Sequence, residues 1–267
     1  MEISGVLLLF LLGLRHGFDP DHIAIIDGLS VRLNAQKPTL AKWTGTLFAA
    51  GHSSVVTCII VMIACFSHTW NFSKTAWDIL DWIPGIMLVL VGLMNLRGLT
   101  RDKSFRPAGL KMGFIPSKLK RSSNPLAIIL IGILFAMVFD TNTQAAAWAY
   151  TATSKISIAN ALILGCAFSA GMITTDTLDS RILFMLMQRS EADNAILNYR
   201  RKIGWVIVFV SLIVGAYKLI NHIIPSIEVE ESMLNWVGIL FFSVMVSFYS
   251  YIIFGSVKRN KKRTYGN

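Results

Sequence analysis

The sequence predicts an all-α integral membrane protein of seven transmembrane helices, built as an inverted three-plus-three repeat with an extra C-terminal helix. Three observations predict it: long apolar stretches, basic residues confined to alternate loops, and polar words that recur in order along the chain. Of 267 residues 54% are apolar and 15% charged, where a soluble domain carries about a quarter charged residues. The mean hydropathy is positive, and no stretch alternates as barrel strands do.

A helix needs about 20 apolar residues to cross the hydrocarbon core. Residues 3–27, 42–66, 79–96, 126–150, 158–179, 203–224 and 234–255 meet that demand. The first of these has a short apolar run at 6–12 and could pass for a signal peptide. It lacks a basic leader and a small-residue cleavage site, and Arg15-His16 follow at once, so it is read as the first span. The three cysteines, Cys58, Cys65 and Cys166, lie in apolar runs without ligand spacing and are expected to be buried and inert.

The net charge of +10 would suit nucleic acid, but its distribution does not. Arg32, Lys37 and Lys42 follow the first span. Eight basic residues between Arg97 and Arg121 follow the third. Arg181, Arg189 and Arg200-Arg201-Lys202 follow the fifth, and a basic tail from Lys258 to Arg263 ends the chain. The other side holds Lys74, Lys155 and, towards the end of the sixth span, Lys218, with an acidic run at Glu228, Glu230 and Glu231. This is the positive-inside pattern for an outer N-terminus and a cytoplasmic C-terminus. The bilayer is therefore the expected partner, and nucleic acid is not.

At an offset of about 120 residues the chain matches itself weakly but in order. Phe18-Asp19-Pro20-Asp21 faces Phe139-Asp140-Thr141-Asn142, Phe48-Ala49-Ala50-Gly51 faces Phe168-Ser169-Ala170-Gly171, and Val91-Gly92 faces Val214-Gly215. Three spans per unit put the second copy into the membrane upside down. Repeat one covers about 1–98, repeat two about 125–225, and the extra helix about 234–255, all within one membrane domain.

Among the carboxylates within the spans are Asp19, Asp21, Asp27, Asp140, Asp176 and Asp179. An Asp at mid-membrane costs roughly 2.5–3.5 kcal/mol on insertion scales. Arg15 balances one of them at most, so a bound divalent cation is the economical partner for the rest. Asp27, near a span end, is expected instead to cap a helix or pair structurally. His16 and His22 bracket Asp19 and Asp21, and His52 stands at the middle of the second span. On a straight helix His16, Asp19 and His22 form a slanting row from which Asp21 points away. Pro20 should kink that helix near Gly17 and free carbonyls there. A kink brings Asp21 to the same cavity or leaves it holding a histidine tautomer. Imidazole mixed with carboxylate favours a late first-row divalent ion over magnesium, calcium or copper(I). In the other half, Asp140 and Gln144 share a face with Thr141 alongside, and Asp176 and Asp179 are likewise adjacent. The expected metal ligands are His16, Asp19, Asp21, His22 and His52. Arg15, Ser53, Asp140, Thr141, Gln144, Asp176 and Asp179 are expected along the ion's path or behind its ligands.

At these residues the sequence resembles the nickel/cobalt transporter family of single-component permeases. The family's hallmark falls on Arg15-His16-Gly17-Phe18-Asp19-Pro20-Asp21-His22-Ile23, and its second motif on Phe48-Ala49-Ala50-Gly51-His52-Ser53-Ser54-Val55-Val56. The third falls on Phe139-Asp140-Thr141-Asn142-Thr143-Gln144, and the fourth on the ten residues from Gly171 to Ser180, which include Asp176 and Asp179. Family members usually have Ala at Pro20 and Glu at Gln144, and a further helix before the hallmark one. The resemblance implies uptake of Ni²⁺ or Co²⁺ across the cytoplasmic membrane, with no prosthetic group and no ATPase subunit. It also implies that metal capture weakens as pH falls, because the ligands must be deprotonated.

Three other readings are weaker. An exporter of the same metals is the nearest, but related exporters carry a histidine-rich loop and residues 97–125 have no histidine. A membrane metalloenzyme needs a general base beside metal-bound water, and the spans contain no glutamate. A binding subunit awaiting a partner ATPase would fail to transport alone.

Overall fold

Pro20 decides the first structural event on the chain. The computed structural model describes residues 3–66, 74–101, 105, 115–137, 147–148, 150–151, 156–188, 192–224 and 247. Helix α1 (Ile3–Gly17) ends at Gly17 and α2 (Pro20–Gln36) starts afresh at Pro20. The expected kink is a complete break. Asp19 takes an extended conformation (φ −62°, ψ 141°), the one that a residue before proline prefers. Pro20 then occupies the first helical position, where its missing N–H leaves no hole. The last turn of α1 tightens, with Phe18 N–H donating to the Arg15 carbonyl (3.0 Å) and Asp19 N–H to that of His16 (2.9 Å).

Proline and short polar side chains set the later boundaries too. Short α3 (Pro38–Ala41) opens on Pro38 and leads into α4 (Thr44–Phe66). Beyond it lie α5 (Lys74–Arg101), short α6 (Ser117–Arg121) and α7 (Pro125–Met137), whose first turn is capped by Asn124. Helix α8 (Ile158–Met187) is capped by Ser157, and α9 (Ala192–Ile223) follows. Every element among the described residues is helical. Of these, α4 (23 residues) and α8 (30 residues) are long and apolar enough to cross a membrane; Gly5–Gly17 and Pro125–Met137 are shorter apolar helices. The predicted seventh span at 234–255 lies outside the described residues, apart from Ser247. The chain divides into two compact units, Met1–Leu219 and Ile220–Asn267. Described residues of the second unit are the last turn of α9, Ile224 and Ser247.

The first unit buries charged and polar side chains in its interior and exposes large apolar ones. His16, His22, His52 and Asp176 are fully buried, while Leu7, Leu90, Leu126, Leu162 and Phe209 are exposed. Water would penalise that arrangement and lipid would not. The cysteines follow the same rule. All three are exposed, against the expectation of burial, because an apolar run does not tell which face of a helix meets lipid and which meets protein.

Two apolar clusters fill the interior. Leu9, Val56, Ile60, Leu164, Phe168 and Met172 join α1, α4 and α8. Ile25, Ile26, Leu33, Phe48, Ile128, Ile131 and Phe135 join α2, α4 and α7. Between helices the backbones touch at glycines. A Cβ at Gly13 on α1 would strike the Phe168 carbonyl on α8, and one at Gly171 the Phe10 carbonyl on α1. On the other side, a Cβ at Gly132 on α7 would strike the Phe48 carbonyl on α4, and one at Gly51 the Ile129 carbonyl on α7. Helices α5 and α9 meet likewise: a Cβ at Gly92 would stand 3.3 Å from Leu212 N, and one at Gly215 3.0 Å from Val89 N.

Candidate metal site

The break between α1 and α2 turns one sequence motif into two helix ends that face each other. His16 is in the last turn of α1 and His22 in the first turn of α2, and their rings meet edge to face with centroids 4.6 Å apart. His52, at the middle of α4, completes a triangle, its ring 5.1 Å from His16 and 4.7 Å from His22. One ligand nitrogen from each of the three lies within 4.8 Å of the other two. The closest pair, His16 Nε2 and His52 Nε2, is 3.0 Å apart. Two nitrogens bonded to one ion at about 2.0–2.1 Å stand about 3 Å from each other.

Carboxylates stand behind two of the imidazoles. His16 Nδ1 is 2.9 Å from Asp19 Oδ2, and His22 Nδ1 is 3.1 Å from Asp176 Oδ2. With the Nδ1 proton donated to a carboxylate, Nε2 carries the lone pair, which fixes tautomer and ring orientation together. Asp176 reaches His22 because Gly17 leaves room. A Cβ there would lie 2.8 Å from Asp176 Oδ1 and would collide with the Thr175 hydroxyl.

Three phenylalanines enclose the triangle. Phe48 and Phe135 pack against His22 at 5.1 and 5.7 Å between ring centroids, and Phe168 packs against His16 at 5.5 Å. All three are fully buried, so they exclude water, and electrostatic interactions inside are stronger than at a surface. Three imidazoles, two of them oriented by carboxylates, converge in a buried, phenylalanine-walled pocket that could hold a late first-row divalent ion.

Of the residues expected from the sequence, the structure brings together His16, Asp19, His22, His52 and Asp176. Asp21 is buried in the first turn of α2, outside the three-nitrogen group. Ser53 is buried with its hydroxyl turned to the Ala50 carbonyl of its own helix, at 3.5 Å. Arg15 is half-buried and forms no ion pair with a described residue. Asp179 accepts a hydrogen bond from the Tyr199 hydroxyl. Asp140, Thr141 and Gln144 lie outside the described residues. Asp27 pairs structurally, as expected of it: Arg200 Nε and Nη2 donate to its two oxygens at 3.0 and 2.9 Å.

Arg200 corrects the charge reading. Counted as a loop residue, it is 8% exposed and lies inside α9. In the string Arg200-Arg201-Lys202 nothing marks the first as different. Tyr199 and Phe135 were also missed, and a buried-carboxylate tally seeking cations and donors would have pointed to Arg200 and Tyr199.

The family model for high-affinity nickel-transport proteins, NicO, matches residues 3–106 and 86–257. The chain is 27% identical to the nickel transporter NixA of Staphylococcus aureus over 272 residues, covering 90% of this chain and 78% of that protein. It is 29% identical to the high-affinity nickel-transport protein NixA of Helicobacter pylori strain J99, covering 83% and 75%. With the cobalt transport protein NhlF of Rhodococcus rhodochrous it shares 30% identity over 68% of this chain and 59% of that one. No solved structure matches the chain.

Proposed function

Because this chain belongs to the NicO family of high-affinity nickel-transport proteins, we propose that it is a permease that takes up Ni²⁺, and Co²⁺ with it, across the cytoplasmic membrane. The observation that carries the reading is the buried triangle of His16, His22 and His52, drawn from three helices and backed by Asp19 and Asp176. The imidazoles are the ion's ligands. Asp19 and Asp176 fix their tautomers and offset the ion's charge through them, a role that typically sets metal affinity by 10–100-fold. Asp21, Ser53 and Arg15 sit along the approach, and Asp140, Thr141 and Gln144 line the second half of the path. Cobalt enters the proposal because imidazole and carboxylate discriminate weakly among late divalent ions and because one relative is named a cobalt transport protein.

The chain crosses the membrane seven times with its N-terminus outside, as an inverted repeat plus one helix. The glycine contacts support this. The α1–α8 crossing at Gly13 and Gly171 has the same partners, about 120 residues on, as the α7–α4 crossing at Gly132 and Gly51. A two-fold axis in the membrane plane would produce that reciprocity, and would relate Gly92 to Gly215 on α5 and α9 in the same way.

No prosthetic group, ATPase subunit or chemical step is required. A divalent cation entering a negative interior gains about 4.6 kcal/mol per 100 mV, at about 2.3 kcal/mol per charge. The test is accumulation of radioactive nickel, at nanomolar concentration in excess magnesium, by bacterial cells expressing this chain alone. Accumulation that His22→Ala abolishes supports the reading. A protein present in the membrane that accumulates neither nickel nor cobalt contradicts it.

A further inference from the structure

Beyond the histidine triangle, in the direction of the basic loops, a second polar layer closes the interior. Asp27 on α2 is five residues past His22, and Asp179 on α8 is one turn past Asp176, the residue that touches His22. Both helices run on to the same end of the molecule, where Gln188 donates to Asn34 at 3.3 Å. Helix α9 covers both carboxylates with neighbouring residues: Arg200 grips Asp27 through two nitrogens, and Tyr199 donates to Asp179. Asp27, Asp179, Tyr199 and Arg200 are all less than a tenth exposed.

We propose that this layer is the inner gate and the ion's next binding station. On this proposal, which rests on the permease reading, α9 holds the gate shut by occupying Asp27 and Asp179 with Arg200 and Tyr199. When α9 moves away, the two carboxylates become oxygen ligands for the departing cation. The chemistry favours such a sequence. An ion leaving three imidazoles needs other ligands nearby, and buried carboxylates must keep a partner at every stage. A guanidinium and a phenol are partners that a divalent cation replaces charge for charge or better. Hard oxygen ligands also bind a late divalent ion less tightly than imidazole does, which suits release. Gates of this kind are rigid-body movements of one helix bundle against another around a fixed site.

The proposal is tested by sided accessibility of a reporter between the two layers. Ala24 is buried on α2, one turn before Asp27. Ala24→Cys is placed in a chain whose three native cysteines are changed to alanine, and inside-out vesicles are treated with a membrane-impermeant maleimide. Nickel binding is measured on the same preparations. The gate predicts slow labelling in the parent, at least about tenfold faster labelling with Arg200→Ala, and about threefold faster with Tyr199→Phe, while nickel affinity stays within about threefold. Should Arg200→Ala fail to reach the membrane, Tyr199→Phe decides alone. Labelling that Tyr199→Phe leaves unchanged, or raises only for reagent added from the opposite side, overturns the gate. A parent that binds no nickel instead overturns the permease reading, whatever the thiol does.

Discussion

The histidine triangle and the Asp27–Arg200 layer lie five residues apart along α2 and are both buried, yet they are built by opposite rules. In the layer, α9 brings a guanidinium to Asp27 and a phenol to Asp179, so the protein itself supplies a cation and a hydrogen-bond donor. In the triangle, carboxylates stand behind the imidazoles, at His16 Nδ1 and His22 Nδ1, and direct the other nitrogens towards a shared centre. The triangle also has an aromatic wall, from Phe48, Phe135 and Phe168. On the proposed reading the contrast separates receptor from barrier: the layer whose carboxylates are held by its own chain is the barrier, and the converging imidazoles are the receptor.

The sharpest way to break this contrast is to exchange the severity of its two halves. His22→Ala or His52→Ala should lower nickel accumulation by more than about 100-fold, to the level of cells without the protein, at an unchanged amount in the membrane. Tyr199→Phe in the layer should change the rate only a few-fold. Equal losses at both places would erase the distinction.

Asp176→Asn comes next. It keeps the shape of the side chain but weakens the acceptor behind His22, so nickel affinity should fall by about 10–100-fold. Titration calorimetry on the purified protein measures it. An unchanged affinity would mean that the carboxylate does not orient the ligand.

The smallest effects concern the scaffold that both regions share. Gly13→Ala and Gly132→Ala each push a methyl group into a carbonyl of the facing helix, which costs about 1–3 kcal/mol in an overpacked interior. The two-fold relation predicts similar losses of thermal stability from both. A large loss from one and none from the other would remove the argument for paired halves.

How much of this was legible in the sequence depends on the residue. His16 and His22 could be picked out because they bracket two aspartates in a hydrophobic stretch, and His52 because it stands at the middle of one. The role of Pro20 was legible in kind but not in degree: proline ends a helix when nothing compels the chain to continue, and the extended Asp19 shows that nothing does. Asp19 was expected as a ligand and lies behind His16. Spacing along one helix gives the order of side chains but not which atom of each faces the centre. Phe135 was invisible because a phenylalanine in an apolar helix has no distinguishing neighbour. Arg200 was masked by the next two residues, since a basic string at a span end reads as topology whichever member turns inward. The cysteines failed for a related reason, because lipid and protein interior look alike to an apolar side chain.

Nickel K-edge X-ray absorption on the purified protein loaded with one equivalent of Ni²⁺ tests the central claim most directly. The account predicts a first shell with about three imidazole nitrogens, recognisable by ring multiple scattering, and one fewer in His52→Ala. A first shell of oxygens alone, or an imidazole count that His52→Ala leaves unchanged, would contradict it.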